Sequence, residues 1–122
     1  MKLYVDDIRN APNGDWHVAR TVNEAIRAIA SRLFSEISLD HDISHQVTVN
    51  ELSRPYPCDE TFQAVTYFIG EKYTKNRQNP IPVITIHSAN PVGADKMKDI
   101  LASYEIGCTI QLGKPVNRLE EE

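Results

Sequence analysis

Short apolar runs alternate with longer stretches of helical periodicity along this chain. Leu3 to Val5 is an apolar run that stops at Asp6-Asp7, the pattern of a short buried strand. Asn10-Ala11-Pro12-Asn13-Gly14-Asp15 has loop composition, with Asn13-Gly14 as a turn signal. Trp16-His17-Val18-Ala19 predicts a second strand. The period then changes. Val22, Ala25, Ile26, Ile29, Ala30 and Leu33 recur at helical spacing and form one stripe. Thr21 is a favoured N-cap, and Glu24 three residues later completes a capping box.

The same alternation continues. Glu36-Ile37-Ser38-Leu39 predicts a third strand running into Asp40-His41-Asp42. Residues 43 to 58 carry Val47, Val49 and Leu52 but also Pro55 and Pro57, which reads as a long excursion or a small hairpin. Asp59 is placed to cap a helix whose apolar positions are Phe62, Val65, Tyr67, Phe68, Ile69 and Tyr73, ending in the Asn76 to Pro80 cluster. Ile81 to Ile86 is the most apolar strand, with the composition of a central strand covered on both faces, and it runs into His87-Ser88-Ala89-Asn90. Asn90 and Pro91 open a helix with Met97, Ile100, Leu101 and Tyr104 on its buried face, and Gly107 is its expected C′ residue. Cys108 to Leu112 is the last strand, followed by Gly113-Lys114-Pro115.

Strands alternating with helices of this length imply right-handed crossovers and a parallel sheet. The expected domain covers residues 1–119, with Glu120, Glu121 and Glu122 as a solvated acidic tail.

Composition narrows the function. A chain of 122 residues, 41% hydrophobic and 25% charged, is ordinary for a globular domain. Its formal net charge of -4 argues against phosphate-driven binding of long nucleic acids, but not against one nucleotide or RNA end in a local pocket. Cys58 and Cys108 form no disulfide framework, no run is long enough to span a membrane, and Asp6 comes too early for a secretory signal. A cytoplasmic protein is expected. Nothing indicates an oligomeric state.

In open parallel sheets, sites form outside the carboxyl ends of the strands. Three strand ends here are polar: Asp6-Asp7, Asp40-His41-Asp42 and His87-Ser88. Grouped carboxylates stay ionised together only when a cation offsets them, and oxygen-rich sites favour hard ions such as Mg²⁺. Asp6, Asp7 and Asp40 are therefore the candidate metal ligands. Arg9 can balance them or hold a phosphate. Ser88, Asn90 and the helix amides after Asn90 offer an anion site, although both side chains also have the ordinary role of capping that helix. His41 and His87 are candidates for proton transfer, with Asp40 beside them and Asp42 placed to orient one imidazole. No glycine-rich phosphate loop, dinucleotide fingerprint, paired-cysteine metal motif or serine nucleophile elbow occurs.

The acidic pair Asp6-Asp7, Asp40 after the third strand, Ser88 after the fourth and Lys114-Pro115 after the fifth resemble the response-regulator receiver domain. Leu3 to Arg9, Ser38 to Asp42 and Ile86 to Gly93 are more similar still to a divergent branch, the cyclic-phosphate processing receiver-like domains. The resemblance implies a flavodoxin-like α/β three-layer sandwich with a five-stranded parallel sheet in the order 2-1-3-4-5. It implies Mg²⁺ or another divalent cation on the acidic pair, and Lys114 contacting the phosphoryl group. It also implies phosphoesterase-type processing of a cyclic phosphate on a nucleotide or RNA end. The alternatives are phosphorylation of Asp40 in signalling, or a module that binds a cyclic nucleotide without turnover. The chain departs from an ordinary receiver in three ways. The loop from Asn10 to Asp15 replaces the first helix, on which a histidine kinase would dock, His41 and His87 are extra, and residues 43–58 lengthen the region beyond Asp40.

Overall fold

The computed structural model describes residues 1–41, 61–75 and 79–112. Five strands, β1 (Lys2–Val5), β2 (Trp16–Ala19), β3 (Glu36–Leu39), β4 (Val83–Ser88) and β5 (Thr109–Leu112), alternate with helices α1 (Val22–Ser31), α2 (Gln63–Lys75) and α3 (Pro91–Ser103). All strand pairs are parallel, in the order β2-β1-β3-β4-β5. This is the sheet the alternating pattern predicts. The region from Asp6 to Asp15 contains no helix, and Asn13 closes its turn by accepting from the Asp15 N–H at 2.9 Å.

Register sorts the side chains onto two faces, since strand residues alternate sides. Leu3, Val5, Ile37, Leu39, Ile84 and Ile86 point to one face and are buried. Ala25 and Ile29 of α1, Val65, Ile69 and Tyr73 of α2, and Ala94, Met97 and Leu101 of α3 pack on them. All three described helices share this face. The opposite face carries Tyr4, Ser38, Thr85 and Thr109 at one level and Lys2, Trp16 and Glu36 at the level before it. Val83 on that side is 64% exposed, so β4 is packed by described helices on one face, not on both as its composition implied. The residues beyond Leu112 lie outside the described set.

Four local expectations shift, each for a physical reason. β4 starts at Val83, because its first ladder partner is Glu36 and Pro82 has no N–H to give. His87 and Ser88 therefore belong to the strand rather than following it. The α1 helix ends at Ser31, which leaves Ala30 and Leu33 exposed and brings Ala28 into the core, while Lys72 of α2 donates to the Ile29 and Arg32 carbonyls at its end. In α2, Tyr67 faces outward and Thr66 and Gly70 are buried, because the Tyr104 ring fills the space beside Gly70. The C′ residue of α3 is Glu105, at φ 63°, not Gly107. The Glu105 N–H reaches the Ala102 carbonyl and the Ile106 N–H reaches Leu101, which is a Schellman closure with Ile106 buried behind it. Asp42, the 43–58 excursion, Cys58, Asp59, Lys114 and the acidic tail lie outside the described residues.

Candidate functional site

The carboxyl ends of β1, β3 and β4 meet, because β1 and β4 flank β3. One carboxylate oxygen each from Asp6, Asp7 and Asp40 lies within 4.8 Å of the others, and all three residues are buried. Asp6 is tightly held. Its Oδ1 accepts from the Ile8 and Arg9 N–H groups at 2.9 Å each, and its Oδ2 is 2.9 Å from His87 Nε2. Burial opposes the charge on Asp6, but these hydrogen bonds and the charge of His87 prevail, and its pKa lies below the ordinary value. Asp40 is the reverse case. Burial and the adjacent Asp6 charge push its pKa from 3.8 up to about 7, against the His41 N–H bond and the Arg9 charge. Two carboxylates of one cluster are thus driven apart, one ionised and one half-protonated near neutrality.

Arg20, which follows β2, donates to the backbone carbonyls of Asp6 and Arg9 and ties down the loop beneath the cluster. Sequence reading passed it over. Its position, one residue past a strand end, was the available signal.

The two histidines occupy different sides of the sheet. Asp40 and His87 fall at one level on the face opposite the described helices, since Leu39 pairs with Ile86. His87 stacks on Tyr4, with ring centroids 4.5 Å apart and planes 7° from parallel. Its Nδ1 is 2.6 Å from Ser38 Oγ. An ionised Asp6 only accepts, so Nε2 carries a proton toward Oδ2, while Nδ1 shares a hydrogen bond with the Ser38 hydroxyl. Both nitrogens of His87 are thereby engaged inside the protein. His41 lies on the helix side. Its N–H donates to Asp40 Oδ1 at 2.8 Å, and its ring covers Gly93, where a β-carbon would collide with it.

Ser88 and Asn90 take the capping role. Ser88 Oγ accepts from the Asn90 N–H, and Asn90 Oδ1 from the Gly93 N–H, both at 3.0 Å. Pro91 has no N–H, so of the first turn only the Val92 amide stands outside this capping. The site therefore unites Asp6, Asp7, Asp40 and His87 directly, sets His41 beside Asp40, and keeps Ser88 and Asn90 in the α3 cap. Besides Arg20, the residues that sequence reading missed are Tyr4 and Ser38, which hold His87.

The model of one family, the cyclic-phosphate processing receiver domain, matches residues 1–103. The chain belongs to this family. The match takes in every strand end that forms the cluster and stops before β5 and Lys114. No curated protein matches the chain. In receiver domains such an acidic cluster holds a divalent cation, and the donors here fit one. They are hard, buried oxygens within reach of a single ion, and an ion would supply positive charge beside Asp40, whose burial next to Asp6 leaves it half-protonated. No described helix is long and apolar enough to cross a membrane.

Proposed function

We propose that this domain hydrolyses a cyclic phosphate on a nucleotide or an RNA end. The observation that carries the reading is the buried Asp6, Asp7 and Asp40 group, with His87 bonded to Asp6 and His41 beside Asp40, in a cyclic-phosphate processing family. Asp6, Asp7 and Asp40 would hold Mg²⁺ or a similar ion, which supplies positive charge to the non-bridging oxygens of the phosphate. Arg9, whose charge acts on Asp40, adds to that charge at the rim. Opening the ring needs a proton removed from the attacking water and one given to the leaving ribose oxygen. His41 is the group for one of these transfers. His87 works through Asp6, fixing its charge and orientation, because both its nitrogens already have protein partners.

The test is turnover of 2′,3′-cyclic nucleotides and cyclic-phosphate RNA ends, with divalent ion and with chelator. His41→Ala should lower the rate by roughly 10²–10⁴-fold with the fold intact. Absence of turnover in the parent with any divalent ion would end the reading. A second reading draws on Asp40 standing at the end of β3, where receivers accept a phosphoryl group. Stable labelling by acetyl phosphate with Mg²⁺, lost in Asp40→Asn, would favour it.

A further inference from the structure

The face of the sheet opposite the described helices bears a pocket of about 250 Å³ lined by Tyr4, Pro12, Trp16, Glu36, Ser38, Thr85, His87 and Gln111. We infer that this pocket is a nucleobase subsite for the ligand whose phosphate sits at the acidic cluster. The inference rests on the cyclic-phosphate reading and adds to it the ligand class, a base-bearing nucleotide rather than a bare cyclic phosphate.

Three observations carry it. The first is continuity. Tyr4, Ser38 and Thr85 stand two residues before Asp6, Asp40 and His87 on their own strands, on the same face. Two residues of strand advance roughly 6.6 Å, about the reach of a ribose between base and phosphate. The His87 ring joins the two regions, because its Nε2 meets Asp6 while the ring lines the pocket. The second is chemistry. Tyr4 and His87 form one flat stack, and Trp16 meets Tyr4 edge-on with centroids 5.8 Å apart, giving aromatic surface of the kind on which bases stack. The Gln111 amide both donates and accepts, and the Thr85 hydroxyl does the same, as a base edge requires. The third is size. The volume is just under that of sites for whole drug-sized ligands, and it suits one ring system.

Trp16 is the single tryptophan, so the pocket contains its own probe. The parent protein is titrated with adenosine and cytidine, which carry no phosphate, while Trp16 emission is followed. Saturable quenching is expected. Turnover of cytidine 2′,3′-cyclic phosphate is then compared with that of a base-free ribose 2,3-cyclic phosphate. The nucleotide should have the lower KM, and Trp16→Leu should erase about tenfold of that preference. Gln111→Ala, at an exposed position, should also weaken it.

Equal KM for the two compounds, with Trp16 unmoved by millimolar nucleoside, overturns the subsite and leaves the hydrolase standing. Nucleoside binding without any cyclic-phosphate turnover keeps the pocket and removes the hydrolase. Dimerisation through this face, seen as a doubled mass in sedimentation with Trp16 blind to nucleosides, also overturns it.

Discussion

Asp40 shows most directly how placement becomes chemistry. Its carboxyl is raised from 3.8 to about 7 because it is buried beside Asp6. A folded-state pKa above the unfolded one means that the folded protein binds the extra proton. The associated stability is complete below about pH 4 and is lost as pH rises through about 7. The gap is worth on the order of 4 kcal/mol. Asp6 acts in the opposite sense, and its contribution fades only as pH falls below the ordinary carboxylate range. The window from 4 to 7 therefore belongs to Asp40. In chelator, the parent should be less stable at pH 8 than at pH 5, and Asp40→Asn should gain several degrees of melting temperature at pH 8 and almost none at pH 4.5. Thermal melts across that range decide it, and a variant indistinguishable from the parent at pH 8 would contradict the assignment. At this scale the sequence was informative about the carboxylates, because each follows a recognisable strand end. It was uninformative about Tyr4 and Ser38, which read as strand interior. Their relation to His87 depends on the strand running two residues further than its apolar run.

Elements are held by contacts that sequence periodicity encodes unevenly. The α1 cap was legible, as Thr21 and Glu24 carry it at capping-box spacing. Thr21 Oγ1 accepts from the Glu24 N–H at 3.1 Å, and the Glu24 carboxylate turns back to the Arg20 N–H at 2.6 Å. The end of α3 was not legible. Gly107 is the residue type expected there, but burial of Ile106 sets the closure two residues earlier and forces Glu105 into the left-handed region. A non-glycine residue there is strained, so Glu105→Gly should raise stability by about 1 kcal/mol in urea denaturation. Gly93 makes the opposite test. Alanine inside a helix ordinarily gains about 1 kcal/mol over glycine. A β-carbon at Gly93 would strike the His41 ring, so Gly93→Ala should instead lose roughly 1–3 kcal/mol and move His41 away from Asp40. A variant as stable as the parent would mean that the ring has room to move.

At the scale of the whole molecule, buried charge gathers at the carboxyl end of the sheet. A parallel sheet was legible because strands and helices alternate, and the order that the receiver resemblance implied brings two acidic strand ends and His87 together. The distribution of layers was less so. Alternation within strands, Glu36-x-Ser38-x-Asp40 and Val83-x-Thr85-x-His87, marks a second face unlike the apolar one, yet β4 taken alone reads as apolar throughout. The described helices bury one face while the cluster sits at the carboxyl ends of the inner strands, with buried carboxylates opposing each other and a proton on Asp40 relieving them. A divalent ion can replace that proton. Binding only to the folded state, at about a hundred times its dissociation constant, stabilises by about 2.7 kcal/mol. For a domain of this size that is roughly 10 °C in melting temperature. The shift should be larger at pH 8 than at pH 6, because at the lower pH the ion must displace a proton from Asp40. It should shrink sharply in Asp6→Asn and Asp40→Asn. Melting curves with millimolar Mg²⁺, Mn²⁺ or Ca²⁺ against chelator measure this. If none of the three ions moves the parent's transition at pH 8, then Arg9 and the Asp40 proton balance the cluster by themselves, and the acidic group is an internal feature of the fold rather than a metal centre.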